Sequence, residues 1–152
     1  MDRGRISEAT YAELLRLAAG LSLAAGVVHL LVSPEQLAEW WGYGFFFMIA
    51  GLIQIGYALV LFLLPWLVDD THAFFRGALP GIRPVFSVAA VGNGMIVMLW
   101  LVTRTLGIPA GPQAGVVQPL DPISLAVTLA EIAIVGLLLT MARRSAIELA
   151  AG

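Results

Sequence analysis

The chain has 152 residues, of which 60% are apolar and 12% charged, with no cysteine, a formal net charge of −2 and a mean hydropathy of +0.93. Soluble domains carry about 25% charged residues, so this composition excludes an ordinary soluble fold, a disordered tail and a nucleic-acid binder. It points instead to an integral membrane protein. Without cysteine there are no disulfides, no thiolate metal sites and no dithiol redox chemistry.

Four apolar stretches, at 13–32, 43–66, 85–103 and 123–141, reach the length of about 20 residues that a bilayer core requires. The first follows Arg3 and Arg5 as a signal peptide would, but no A-x-A-like site closes it and it is too long for an h-region. It reads as an uncleaved first helix. Between the first two spans, Pro34 to Trp41 reads as a short outer helix capped by Ser33, with Trp40 and Trp41 as headgroup anchors. The inner loop 67–84 holds Asp69, Asp70 and His72 beside Phe74 and Phe75, an interfacial pattern. The outer loop 104–122 is rich in Gly and Pro and suited to folding over the end of a bundle.

All eight basic residues are arginine. Arg3, Arg5, Arg16, Arg76, Arg83, Arg143 and Arg144 fall on one side of this scheme and Arg104 alone on the other. The positive-inside rule then makes both termini and the 67–84 loop cytoplasmic. The expected architecture is all-α: a single membrane domain over 1–152 that forms an up-down-up-down four-helix bundle in a bacterial inner membrane.

Each span carries a polar or small-residue stripe at helical spacing. The stripes are Ser22, Gly26, His29 and Ser33; Gly44, Gly51, Gln54 and Ala58; Ala89, Asn93, Trp100 and Arg104; and Asp121, Ser124, Thr128 and Glu131. The simplest bundle turns all four inward. A rise of about 1.5 Å per residue puts Gln54, Asn93 and Glu131 roughly 12–17 Å below the outer boundary, and His29 only about 5 Å below it. The expected site is an outward-open pocket with His29, Trp100 and Arg104 toward the mouth, Gln54 and Asn93 lower, and Glu131 at the floor. A carboxylate at the bilayer centre costs about 3 kcal/mol or more and usually marks a pathway or ligand site. Gln54 and Asn93 also suit interhelical glue. Arg104 suits a snorkelling rim residue paired with Asp121, Glu35 or Glu39.

No metal site, cofactor or catalytic residue is expected. His29 and His72 lie at opposite faces and cannot share a haem within one protomer. A copper site from His29, Met48 and Met98 fails on helical phase: Met48 is about 240° from Gln54 and Met98 about 140° from Asn93. No phosphate loop, Ser-His-Asp set or zinc motif is present.

The stretch from His29 through Ser33-Pro34-Glu35 to Glu39-Trp40-Trp41-Gly42-Tyr43-Gly44, with Gly92-Asn93 and the run Thr103 to Pro112, resembles a group of small bacterial four-helix membrane proteins that brings no established activity. A looser resemblance, in helix count and general pattern, is to DoxX-like proteins, which are sometimes linked to membrane redox complexes. Three functions follow as expectations. The first is a non-enzymatic pocket for a small ligand or lipid headgroup. The second is an accessory or anchor subunit of a membrane complex, such as a redox one. The third is a homo-oligomeric proton or ion conductor that uses Glu131. Against the conductor, the fourth span has no polar step from Ile132 to Leu139.

Overall fold

A computed structural model of the chain describes the backbone of residues 8–67 and 82–151, and side chains at 9–66 and 82–144. Arg3, Arg5, Arg76 and the segment with Asp69, Asp70, His72, Phe74 and Phe75 lie outside the described residues. The fold is an all-α bundle of α1 (Glu8–Glu39), α2 (Trp41–Leu67), α3 (Ile82–Thr105) and α4 (Pro122–Ala151). All four helices are long and apolar enough to cross a membrane. The C-terminal ends of α1 and α3 share one cavity with the N-terminal ends of α2 and α4, so the helices alternate in direction.

The close helix pairs are α1–α2, α1–α4 and α3–α4. The first is the tightest because glycines meet in it. A Cβ added to Gly26 would stand 2.8 Å from the Gly51 carbonyl oxygen, and one added to Gly51 would stand 2.7 Å from that of Gly26. Without water to drive association, such close backbone approach supplies the dispersion contact that holds membrane helices together. At the end away from the cavity, Leu15, Leu61, Phe86, Ile134 and Leu138 interlock as an apolar core. Large apolar side chains such as Leu31, Val88 and Met95 are left on the outer surface, as lipid contact permits.

The segment expected as a separate short helix is the last turn and a half of α1, which runs through Pro34 to Glu39. Proline has no N–H to give the carbonyl four residues back, and here that carbonyl is Leu30. The Ser33 hydroxyl donates to Leu30 O at 2.9 Å instead, so Ser33 repairs the helix rather than capping a new one. The chain breaks only at Trp40, whose ring leaves no room for a Cβ at Gly42. Tyr43 N–H and Gly44 N–H both donate to the Trp40 carbonyl and start α2 at once.

The segment between α3 and α4 folds over the cavity end, as its composition suggested. Gly107 and Gly111, with φ of 95° and 93°, make turns that L side chains resist. Tyr43 ties the segment down: its hydroxyl donates to Ala110 O at 2.8 Å and accepts Gln113 N–H at 3.3 Å. Asp121 and Pro122 then open α4 as N-cap and first residue, with Ser124 N–H donating to Asp121 Oδ1 at 2.8 Å.

The glycine contact yields a test. Gly51→Val should destabilise the bundle by about 1–3 kcal/mol, the usual range for overpacking. Gly56→Ala, with nothing within 4 Å of the new Cβ, should leave stability unchanged or slightly raised. Unfolding titrations of the two variants in mild detergent separate the outcomes.

Candidate ligand-binding site

The expected polar stripes face inward except at the outer end of the fourth, where Asp121 is exposed. Ser22, His29, Ser33, Gln54, Asn93, Thr128 and Glu131 are all buried. Gln54 is the centre of the layer they form. Its Nε2 donates to Asn93 Oδ1 at 3.2 Å and to Glu131 Oε1 at 3.1 Å, and its Oε1 lies 3.1 Å from His29 Nδ1. Its backbone carbonyl accepts the Ser22 hydroxyl at 2.9 Å. One side chain thereby joins all four helices.

The direction of every bond in this layer follows from one anchor. Asn93 Nδ2 donates to the Ala89 carbonyl at 2.9 Å, which turns Asn93 Oδ1 toward Gln54 as an acceptor. Gln54 must therefore present its NH2, and both hydrogens are used, on Asn93 and Glu131. Its Oε1 is then an acceptor, so His29 carries a proton on Nδ1. That leaves His29 Nε2 facing Glu131 Oε1 at 3.6 Å. A single proton held by this pair, on either partner, keeps the site neutral overall. Without it, an imidazole lone pair would face a carboxylate deep in the bundle.

Above this layer is a cavity of about 680 Å³. His29 and Glu131 stand on its wall with Trp100 and Arg104, while Gln54 and Asn93 lie behind them and do not reach it. His29 departs from its expected position: it belongs to the floor layer, not the mouth. The reason is the length of α1, which continues ten residues beyond His29 to Glu39, about 15 Å of helix. That buries His29 to the depth of its three partners.

Arg104 sits at the rim as expected, and among its three anticipated partners it takes Asp121, at 3.4 Å. It also donates to Ser124 Oγ at 3.1 Å and Thr103 Oγ1 at 2.9 Å. Its guanidinium carbon lies 5.3 Å from the Trp100 ring centroid, a cation–π contact. Trp100 Nε1 and Arg104 Nε are buried without a partner among the described residues. Met98 lies on the outer surface at 58% exposure, so it and His29 do not converge. Among the described residues no group of three or more His, Asp or Glu is placed to hold a metal.

The sequence reading missed the aromatic wall of Tyr43, Phe46 and Phe47. A signal for part of it was present: Phe47 and Tyr43 precede Gln54 by seven and eleven residues, two and three helical turns, on the stripe already recognised. The sequence suggests Glu35 and Glu39 only as partners of Arg104, yet both line the cavity. Comparison with family models, with curated proteins and with solved structures yields no match for this chain.

Two outcomes are expected. Gln54→Leu removes three interhelical side-chain bonds at roughly 0.6 kcal/mol each, so it should destabilise the bundle by about 2 kcal/mol. Asn93→Ala removes one of them and should cost about a third as much. Denaturant titration of both variants measures the ratio, and equal losses would remove Gln54 from its central role. At the rim, the Ser124 hydroxyl and N–H, with help from Arg104, hold the Asp121 carboxyl below its ordinary value of 3.8. A value lowered by folding contributes stability that is complete above the ordinary value and is lost as pH falls through the lowered one. Melting measured between roughly pH 3 and pH 6 should show this loss at the acid end, and Asp121→Asn should flatten it.

Proposed function

We propose that the protein is a bacterial inner-membrane protein with cytoplasmic termini, whose outward-open pocket binds a small ligand or a lipid headgroup without catalysis. The observation that carries this reading is the cavity itself. Its wall is drawn from all four helices and the α3–α4 segment, and its floor ends on Glu131 and His29. A buried carboxylate and imidazole whose remaining partners all lie behind the wall present their free edges to whatever fills the space.

Arginine placement supports the orientation. Among the described residues, Arg16, Arg83, Arg143 and Arg144 lie on the halves of their helices away from the cavity, and Arg104 alone lies at the cavity end. The positive-inside rule makes the cavity end the outer one. The core below the Gln54 layer supports a blind pocket over a conduit, since Leu61, Phe86, Ile134 and Leu138 fill that half and its cluster holds only the tyrosines Tyr11 and Tyr57 as polar-tipped members among the described residues.

Native mass spectrometry of the protein taken from its own membrane into mild detergent tests the reading. The expected result is one defined small adduct on the 16.2 kDa protomer that disappears in Glu131→Gln. A protomer found bare, or found only with other polypeptides, would sink the pocket and favour the accessory-subunit reading.

A further inference from the structure

Beside the cavity lies a groove. This second, apolar hollow of about 600 Å³ is lined by Phe46 of α2 and, on α3, by Val91, Gly94, Met95, Met98 and others. Phe46, Ile96 and Leu99 border both hollows, so the two adjoin across these three side chains. The groove exists because α2 and α3 are not a close pair. They are bridged through the Gln54–Asn93 bond and leave an open groove nearer the cavity end. Val91, Met95 and Met98 are well exposed along it, on a helix apolar and long enough to cross a membrane. In a bilayer that groove faces acyl chains. A polar chamber that adjoins such a groove across three apolar side chains fits an amphiphile, with its head inside and its tail in the groove.

The charge of the chamber narrows the head. Four carboxylates line it (Glu35, Glu39, Asp121 and Glu131) against a single guanidinium, Arg104. Asp121 already pairs with Arg104, and Glu131 is bonded within the floor layer. Glu35 and Glu39 have no cationic partner among the described residues. They lie one turn apart on α1, a spacing at which like charges repel and a cation between them relieves both. Trp40 and Tyr43 stand beside them as further cation-accepting faces. A purely anionic head would meet more negative charge than positive. The other side of the chamber nevertheless offers a cation, since Arg104 lines it with the Trp100 ring against its guanidinium. The complement to this arrangement is a zwitterion.

We propose that the occupant is an aminophospholipid from the bilayer leaflet on the cavity's side. Its ammonium lies at Glu35 and Glu39, its phosphate at the Arg104–Trp100 edge, and an acyl chain leaves through the α2–α3 groove. The levels are compatible with one headgroup: Arg104 lies eleven residues beyond Asn93, about 16 Å above the Gln54 layer, and Glu39 lies ten residues beyond His29, about 15 Å above it, with Glu35 one turn lower. The proposal rests on the pocket reading above and names its ligand class.

The test is native mass spectrometry of the purified full chain after equilibration in nanodiscs with equal amounts of phosphatidylethanolamine and phosphatidylglycerol. Retained phosphatidylethanolamine should exceed phosphatidylglycerol by about fivefold, the scale of one partly exposed ion pair. The double variant Glu35→Gln, Glu39→Gln changes only exposed side chains and should bring the ratio to about one. Gly94→Leu, whose Cβ meets nothing within 4 Å, should obstruct the groove and lower retention of both lipids, with melting curves confirming that each variant is folded. Equal or preferential retention of phosphatidylglycerol by the unaltered chain would overturn the proposal. So would a ratio unmoved by the double variant, or retention unmoved by Gly94→Leu. A Glu131-dependent adduct that is not a lipid would overturn it while leaving the pocket reading intact, and no adduct of any kind would end both.

Discussion

A polar group inside a bilayer has no water to fall back on, and the Gln54 side chain is where this protein meets that constraint. It is the rare side chain that offers two donors and an acceptor together. Each is used, on Asn93 and Glu131 and on His29. With Ser22 on its backbone carbonyl, the residue satisfies groups from the three other helices at one level. Leucine in its place would leave an imidazole, a carboxyl group and an amide to find new partners in hydrocarbon. The packing above and below is arranged around this layer: glycine contacts bring α1 onto α2 beside it, and the apolar core closes the bundle beneath it.

The same layer divides the molecule into two unlike halves. Below, apolar side chains interlock and the helices behave as an ordinary membrane bundle. Above, the helices stand apart enough to leave a chamber, and the α3–α4 segment roofs it through the Tyr43 hydroxyl. Both the opening of the upper half and the exposure of its floor depend on α2 and α3 not being a close pair. A bundle with all neighbours equally packed would have buried Glu131 and His29 beyond reach. Here they are buried within the protein yet edge onto a cavity.

Much of this was legible residue by residue. Apolar run length determined the number of spans, because only a helix of that length satisfies its own backbone across hydrocarbon. Helical phase determined the inward faces, since burial of a polar group in lipid is penalised so heavily that the stripe has one tolerable direction. Ser22, His29, Gln54, Asn93 and Glu131 all lie where that reasoning puts them. The roof was legible as well, in glycines and prolines that no helix would keep.

Other features depended on contacts between distant residues. Pro34 looked like a helix start, and only the position of the Ser33 hydroxyl over Leu30 O reveals a repaired helix. That repair lengthens α1 and sets the depth of His29. The choice of Asp121 over Glu35 or Glu39 as the partner of Arg104 is a matter of which helix end lies nearest, and it leaves the two glutamates to line the chamber. The Phe46 side of the wall and the open α2–α3 groove are likewise invisible in one dimension. The sequence by itself determined which residues must avoid lipid, because that is a local property of each side chain and its helical phase. Which of them meet, and where the bundle stays open, was decided by the tertiary structure, because those depend on the distances between helices that no single segment encodes.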